Sequence, residues 1–283
     1  MPHQIGYVDN TTQLAHYEML KTIHDFAAAN DWDVLRYDTS GINHELILQG
    51  AGLSGTEEIF VGFRTYHDVS ADYYNLLAGV FTGYAAHLTF DGQPGAKLSG
   101  VPCHNQRVDY WLTLNGQRIA LSMKVGTPVY EPAYVGKALA YARPSQWPYP
   151  VVCGGALNGA AATRFSDTTH GGYFRGSRAN MQLRTNDNWI QPACYPYDNA
   201  YIGGSGAAYN NRSMRDTNGL YMLLPVELCD SNNVYGALDG IFYISGFDNV
   251  VENTLTIAGE DYVVFQDVWR TEHNAYYAMR LDT

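Results

Sequence analysis

The residues most suggestive of chemistry are Gly50-Ala51-Gly52-Leu53-Ser54-Gly55, where Gly50, Gly52 and Gly55 match the GxGxxG spacing of a dinucleotide-binding turn. That chemistry needs a helix immediately afterwards, because the helix N-terminus holds the pyrophosphate through its free N–H groups. The residues after the motif include EEIFVGFRTY, whose aromatic and β-branched side chains predict a strand. The motif therefore reads as a glycine-rich connection between two strands, and no cofactor is expected. Ser54 and Ser205 have small neighbours but lack the GxSxG nucleophile elbow. The nine histidines show neither HExxH nor any other metal-ligand spacing. In LCDSNNVYGALDG, Asp230 and Asn232 begin like a calcium loop, but Val234 stands where a third oxygen ligand belongs, so a turn is expected. Cys103, Cys153, Cys194 and Cys229 form no CxxC pair and read as free thiols, with a late disulfide as the alternative. No catalytic residue and no metal ligand is assigned.

Binding chemistry offers more. The 28 acidic residues against 17 basic ones give a net charge of −11 with no Lys/Arg cluster, which argues against direct nucleic-acid binding. No apolar run approaches the ~18 residues of a membrane-spanning segment. The opening MPHQIGYVDN lacks the basic and apolar regions of a secretory signal, so a cytoplasmic product is expected. The segment YARPSQWPYP, from Tyr141 to Pro150, is different in kind. Pro144, Pro148 and Pro150 fix φ and push the residues before them into extended conformations, which makes a stiff strap. Such a strap loses little entropy on docking, and Tyr and Trp are enriched in the cores of interfaces. Tyr141, Trp147 and Tyr149 are therefore candidate subunit-interface residues. The competing reading is that these rings cover the chain's own sheet.

The elements that must position these residues are mostly strands. One helix is expected over TTQLAHYEMLKTIHDFAAAN, with Asn10 as its cap, Gln13 at the capping-box position, Ala15, Met19, Ile23 and Phe26 on one face, and Asn30 at the exit. Short apolar runs then read as strands, with Trp32, Trp111 and Trp269 as core or sheet-face rings. In VDYWLTLNGQRIALSMKV, Asn115-Gly116 predicts a type I′ hairpin turn. That register sets Leu112 opposite Ile119 and Thr113 opposite Arg118, with one apolar face and one mostly polar face. The expected fold is mainly β with one N-terminal α-helix, as β-sandwich or barrel-like portions joined by long Gly/Asn/Tyr-rich loops. Residues 1–153 would form the helix and a β-rich domain, 154–223 a loop-rich connection, and 224–283 a β-rich portion that completes or packs on the first.

The segments GTEEIFVGFRTY, YYNLLAGVFTGY, RVDYWLTLNGQRIALSMKVGTPVYEPAYVGKALAYARPSQWPYPVVCGG and NVYGALDGIFYISGFDNVVENTLTIAGEDYVVFQDVWRTEHNAYYAMRLD resemble a family of tailed-bacteriophage virion proteins. The resemblance spans Trp32 to Cys153 and Leu224 to Asp282. It implies a structural part of the tail or baseplate, resident in the virion after assembly in the host cytoplasm, with other virion proteins as partners and no catalytic residues. A homo-oligomer of three- or six-fold symmetry would suit a tail. Where the family strap reads YATPSQYPYP, this chain has Arg143 and Trp147, so Arg143 joins Tyr141, Trp147 and Tyr149 as a candidate interface residue. Two alternatives stay open. The 23 tyrosines and Asn/Gly-rich loops would also suit a carbohydrate- or receptor-binding module, and a polymer-degrading hydrolase would need two carboxylates facing a cleft.

Overall fold

Runs of β-branched and aromatic residues, broken by Gly, Asn and Asp, pair into three antiparallel sheets. The computed structural model describes residues 2–126, 129–141, 151–157, 161–165, 181–186, 188–196 and 214–281. Among them the chain is mainly β with one helix, as expected. The middle sheet has the order β1 (His3–Val8), β7 (Val108–Asn115), β8 (Arg118–Gly126), β9 (Val129–Lys137), β11 (Val151–Gly155), β12 (Gln182–Thr185) and β13 (Asn188–Ile190). On one side lies a sheet of β2 (Asp33–Asp38), β3 (Glu45–Gly50), β4 (Ile59–Asp68), β5 (Tyr73–Phe81) and β6 (Lys97–Val101). On the other lies a C-terminal sheet in the order β14 (Ala193–Pro196), β15 (Leu224–Cys229), β16 (Val234–Tyr243), β19 (Tyr276–Leu281), β18 (Glu260–Gln266) and β17 (Thr254–Ile257), with β10 (Leu139–Ala140) paired to β16. Residues 154–223, expected as connecting loops, thus supply β12 and β13 to the middle sheet and β14 to the C-terminal one.

The middle sheet is buried on both faces. Tyr110, Leu112, Leu121 and Val135 pack toward the helix and Leu48, Val61 and Phe63. Trp111, Ala120, Tyr130 and Tyr134 pack toward Ile241, Phe265, Tyr277 and Met279. Each fully buried aliphatic or aromatic side chain contributes roughly 1.5–3 kcal/mol. This corrects the expected polar side of the β7–β8 hairpin, where Thr113, Arg118 and Ser122 are buried beneath the C-terminal sheet.

The hairpin register is also corrected. Leu112 stands opposite Leu121 and Leu114 opposite Ile119, a slide of two residues that leaves every side chain on its expected face. Neither Gly116 nor Gln117 takes the left-handed φ that a type I′ turn requires. Instead Asn115 Oδ1 accepts from the N–H groups of Gln117 and Arg118, at 3.0 and 3.1 Å, so Asn115 opens the turn rather than occupying its centre.

The helix α1 (Ala15–Ala28) buries Ala15, Met19, Leu20, Ile23 and Ala27, with Phe26 partly covered. Its cap is not Asn10. Leu14 occupies the N-cap position without a side-chain bond, and Asn105, from the loop before β7, accepts from the Ala15 N–H at 3.0 Å. Residues 9–11 are held in their own turn, where Asp9 accepts from the Thr11 N–H and hydroxyl. At the exit Asn30 serves as expected, donating from Nδ2 to the Phe26 carbonyl at 2.7 Å.

The glycine motif joins β3 to β4 as a strand–turn–strand, with Gly52 and Gly55 at φ +68° and +76°. The Gly52 N–H donates to the Gly116 carbonyl at 2.8 Å, and a Cβ on Gly116 would meet Gly52 O at 2.7 Å. Asp230 forms the expected turn by accepting from the N–H groups of Asn232 and Asn233. All four cysteines are free thiols. Trp32 and Trp111 are buried, but Trp269 lies in a turn after β18 and is 40% exposed, contrary to its expected place in the core or on a sheet.

Candidate assembly interface

Tyr141, the first residue of the Pro-rich segment, stands at a seam between two sheets. After β9 the chain crosses to the C-terminal sheet, where β10 pairs Leu139 with Ala237 and Ala140 with Gly236. Gly236 makes this crossing possible, because a Cβ there would come within 2.2 Å of Leu139 O. The Tyr141 N–H donates to Tyr235 O at 3.0 Å, while its side chain is 55% exposed. Leu139 and, on the adjoining strand, Val234 are exposed as well. The chain returns to the middle sheet at Val151 of β11, which is buried. Arg143, Trp147 and Tyr149 lie outside the described residues.

A second exposed apolar pair, unnoticed in the sequence, stands on the edge strand β1. Ile5 and Tyr7 are 52% and 55% exposed, and the Arg107 guanidinium lies 4.0 Å from the centre of the Tyr7 ring. The signal was weak because HQIGYV mixes His, Gln and Gly with its apolar residues. No protein-family model matches this chain, and neither does any curated protein.

The reactive residue types are disposed differently. Burial pushes the Cys153 thiol up to about 12 and raises Cys103, Cys194 and Cys229 as well, the reverse of what a reactive thiolate needs. An open hollow of about 390 Å³ is lined by His104, Gln106, Arg107, Asp109, Lys124 and Phe165. Its charges are already engaged, since Arg107 pairs with Asp109 at 2.8 Å and Lys124 with Glu252 at 2.5 Å.

One titratable cluster was also missed. His16 is buried on α1 with its ring centroid 5.1 Å from that of His67 and 5.8 Å from that of Tyr74, and Tyr17 stacks on His44 at 3.7 Å. Neither His16 nitrogen has a hydrogen-bond partner. Burial, and then His67 and His44, push its pKa down to about 3. Positions 16, 44 and 67 share no spacing that a motif search would find. Among the described residues no group of three His, Cys, Asp or Glu is arranged to hold a metal ion, and no helix is long and apolar enough to cross a membrane.

Proposed function

We propose that this chain is a structural subunit of a tailed-bacteriophage particle, in the tail or baseplate, that works through protein–protein contacts rather than catalysis. Its partners are other virion proteins and further copies of itself, in a ring of three- or six-fold symmetry assembled in the host cytoplasm. The observation that carries this reading is where the exposed apolar side chains sit. Leu139 on β10 and Tyr141 directly after it stand where the Pro-rich segment of the sequence begins, and Ile5 and Tyr7 stand on the edge strand β1, so large side chains are presented from paired backbone. Rigid aromatics on fixed backbone lose little entropy when they dock.

The strap supplies the test. Trp147→Ala and Tyr141→Ala should each weaken association by roughly 2–4 kcal/mol, the range of buried aromatic anchors. The melting temperature of the isolated chain should stay unchanged. Incorporation into phage particles, read by electron microscopy, should fall accordingly. A variant that melts lower but assembles normally would show that the strap covers the chain's own sheet. Saturable binding of the isolated chain to an oligosaccharide array, abolished by Tyr141→Ala, would replace assembly with sugar recognition.

A further inference from the structure

We propose that β1 is a self-complementary docking edge, which pairs antiparallel with β1 of a second copy of this chain about a two-fold axis. The phase of the ladder shows what the edge offers. The Leu114 N–H donates to the Pro2 carbonyl at 3.3 Å, while His3 stands opposite Thr113. In an antiparallel pair this makes His3–Thr113 a non-hydrogen-bonded pair, so Gln4, Gly6 and Val8 direct their backbone groups toward β7. Ile5 and Tyr7 direct theirs outward, and the same two residues carry the exposed side chains.

Edges of this kind are normally blunted by charge, proline, a bulge or brevity. The other edges among the described residues are blunted in these ways. β2 carries Asp33, Arg36 and Asp38 and a register shift between Val34 and Arg36. β6 carries Lys97, β14 and β17 have four residues each, β13 has three and β10 two. β1 has six residues, no carboxylate, ammonium or guanidinium, and an unbroken register through six pairs.

Charge and hydrogen bonding select a second copy as the occupant. With Gly6 facing Gly6 across the axis, Ile5 of each copy lies opposite Tyr7 of the other. The outward N–H and C=O groups of those two residues then close two reciprocal hydrogen-bonded pairs. An aliphatic side chain faces an aromatic ring in each, a favourable cross-strand combination. The same register sets His3 of each copy opposite Asp9 of the other, so no two carboxylates face each other across the contact. Two copies that each carry a net charge of −11 repel in general, so a strand without carboxylate, ammonium or guanidinium is where they can meet. This pairing rests on the strand alone and holds whether or not the chain belongs to a phage particle.

Sedimentation of the purified full chain tests it. The wild type should populate a dimer with a Kd on the order of 10–100 µM. Ile5→Pro removes an outward N–H from each copy and leaves the bonds from Gln4 and Gly6 to β7 in place. Ile5→Lys keeps the N–H and adds a charge, so it decides the matter should the proline variant fail to fold. Both should raise the dimer Kd at least ~10-fold, a change of about 1.4 kcal/mol, without lowering the melting temperature of dilute protein. The Ile5 and Tyr7 amides should be protected from hydrogen exchange only in concentrated wild type. A wild type that stays monomeric, a dimer unaffected by Ile5→Lys, or fast exchange of both amides within a dimer would each overturn the proposal.

Discussion

Asn115 donates from Nδ2 to Oδ2 of Asp239 at 2.6 Å, which ties the β7–β8 turn in the middle sheet to β16 in the C-terminal sheet. Gln117 Nε2 donates to the same oxygen at 2.9 Å, Arg118 Nε lies 3.7 Å from it, and Arg280 reaches Oδ1 at 3.3 Å. Arg118 is fully buried, and Gly240 leaves room for its guanidinium, since a Cβ there would come within 2.4 Å of it. Burial alone would raise the Asp239 carboxyl. Arg118, the Asn115 and Gln117 amides and Arg280 outweigh it and hold the carboxyl below its ordinary value.

Removing Asp239 should therefore strand a buried guanidinium. Asp239→Ala is expected to destabilise the chain by about 3–5 kcal/mol, measured by urea unfolding. Because the folded pKa is depressed, the carboxylate's contribution is present above its ordinary value of 3.8 and is lost as pH falls through the lower folded value.

His16 gives a second pH dependence, in a different window. Its folded pKa of about 3 lies below the ordinary 6.5, so between those values the unfolded chain holds the extra proton. Stability is full above pH 6.5 and falls as pH drops toward 3. Lowering the pH from 7 to 5 should cost roughly 2 kcal/mol through this group. In His16→Leu the slope of unfolding free energy against pH should shrink by one proton; an unchanged slope would place the titration elsewhere.

The contact between the glycine motif and the hairpin predicts an order of costs. Gly116→Ala drives a Cβ against backbone at Gly52 O, and Gly50→Ala meets both Gly116 O and the Trp32 ring. Overpacking of this kind costs about 1–3 kcal/mol. Gly55→Ala has open space and should cost only the ~1–2 kcal/mol of a left-handed φ. Thermal unfolding of the three variants should place the double clash at Gly50 first.

Helix capping separates two asparagines. Asn105→Ala should cost about 0.5–2 kcal/mol, as loss of a cap does, while Asn10→Ala should leave the melting temperature unchanged. Equal costs would mean that Asn10 supports the helix after all.

Several features were legible locally, each from neighbouring residues. EEIFVGFRTY after GAGLSG has the composition of a strand, and β4 begins at Ile59. Met19 and Ile23 keep the helical period, and they are buried. Asp230 and Asn232 have the chemistry of a turn, and the turn forms. The strap stood out through its prolines and rings, of which Tyr141 is described with an exposed side chain. The β1 edge did not, because an edge is defined by the strand that is missing beside it.

By itself the sequence determined the β-rich class, the single helix and the parity of the β7–β8 hairpin, since alternation and periodicity are carried by adjacent residues. Only the tertiary structure decided that hairpin's register, because a slide of two residues preserves both faces and Asp239, far along the chain, supplies the acceptor that Asn115 and Gln117 meet. It likewise decided that Asn105 caps α1 and that His16 meets His67. A polar group is satisfied by whichever partner packing brings within about 3 Å, and distance along the chain does not encode that proximity.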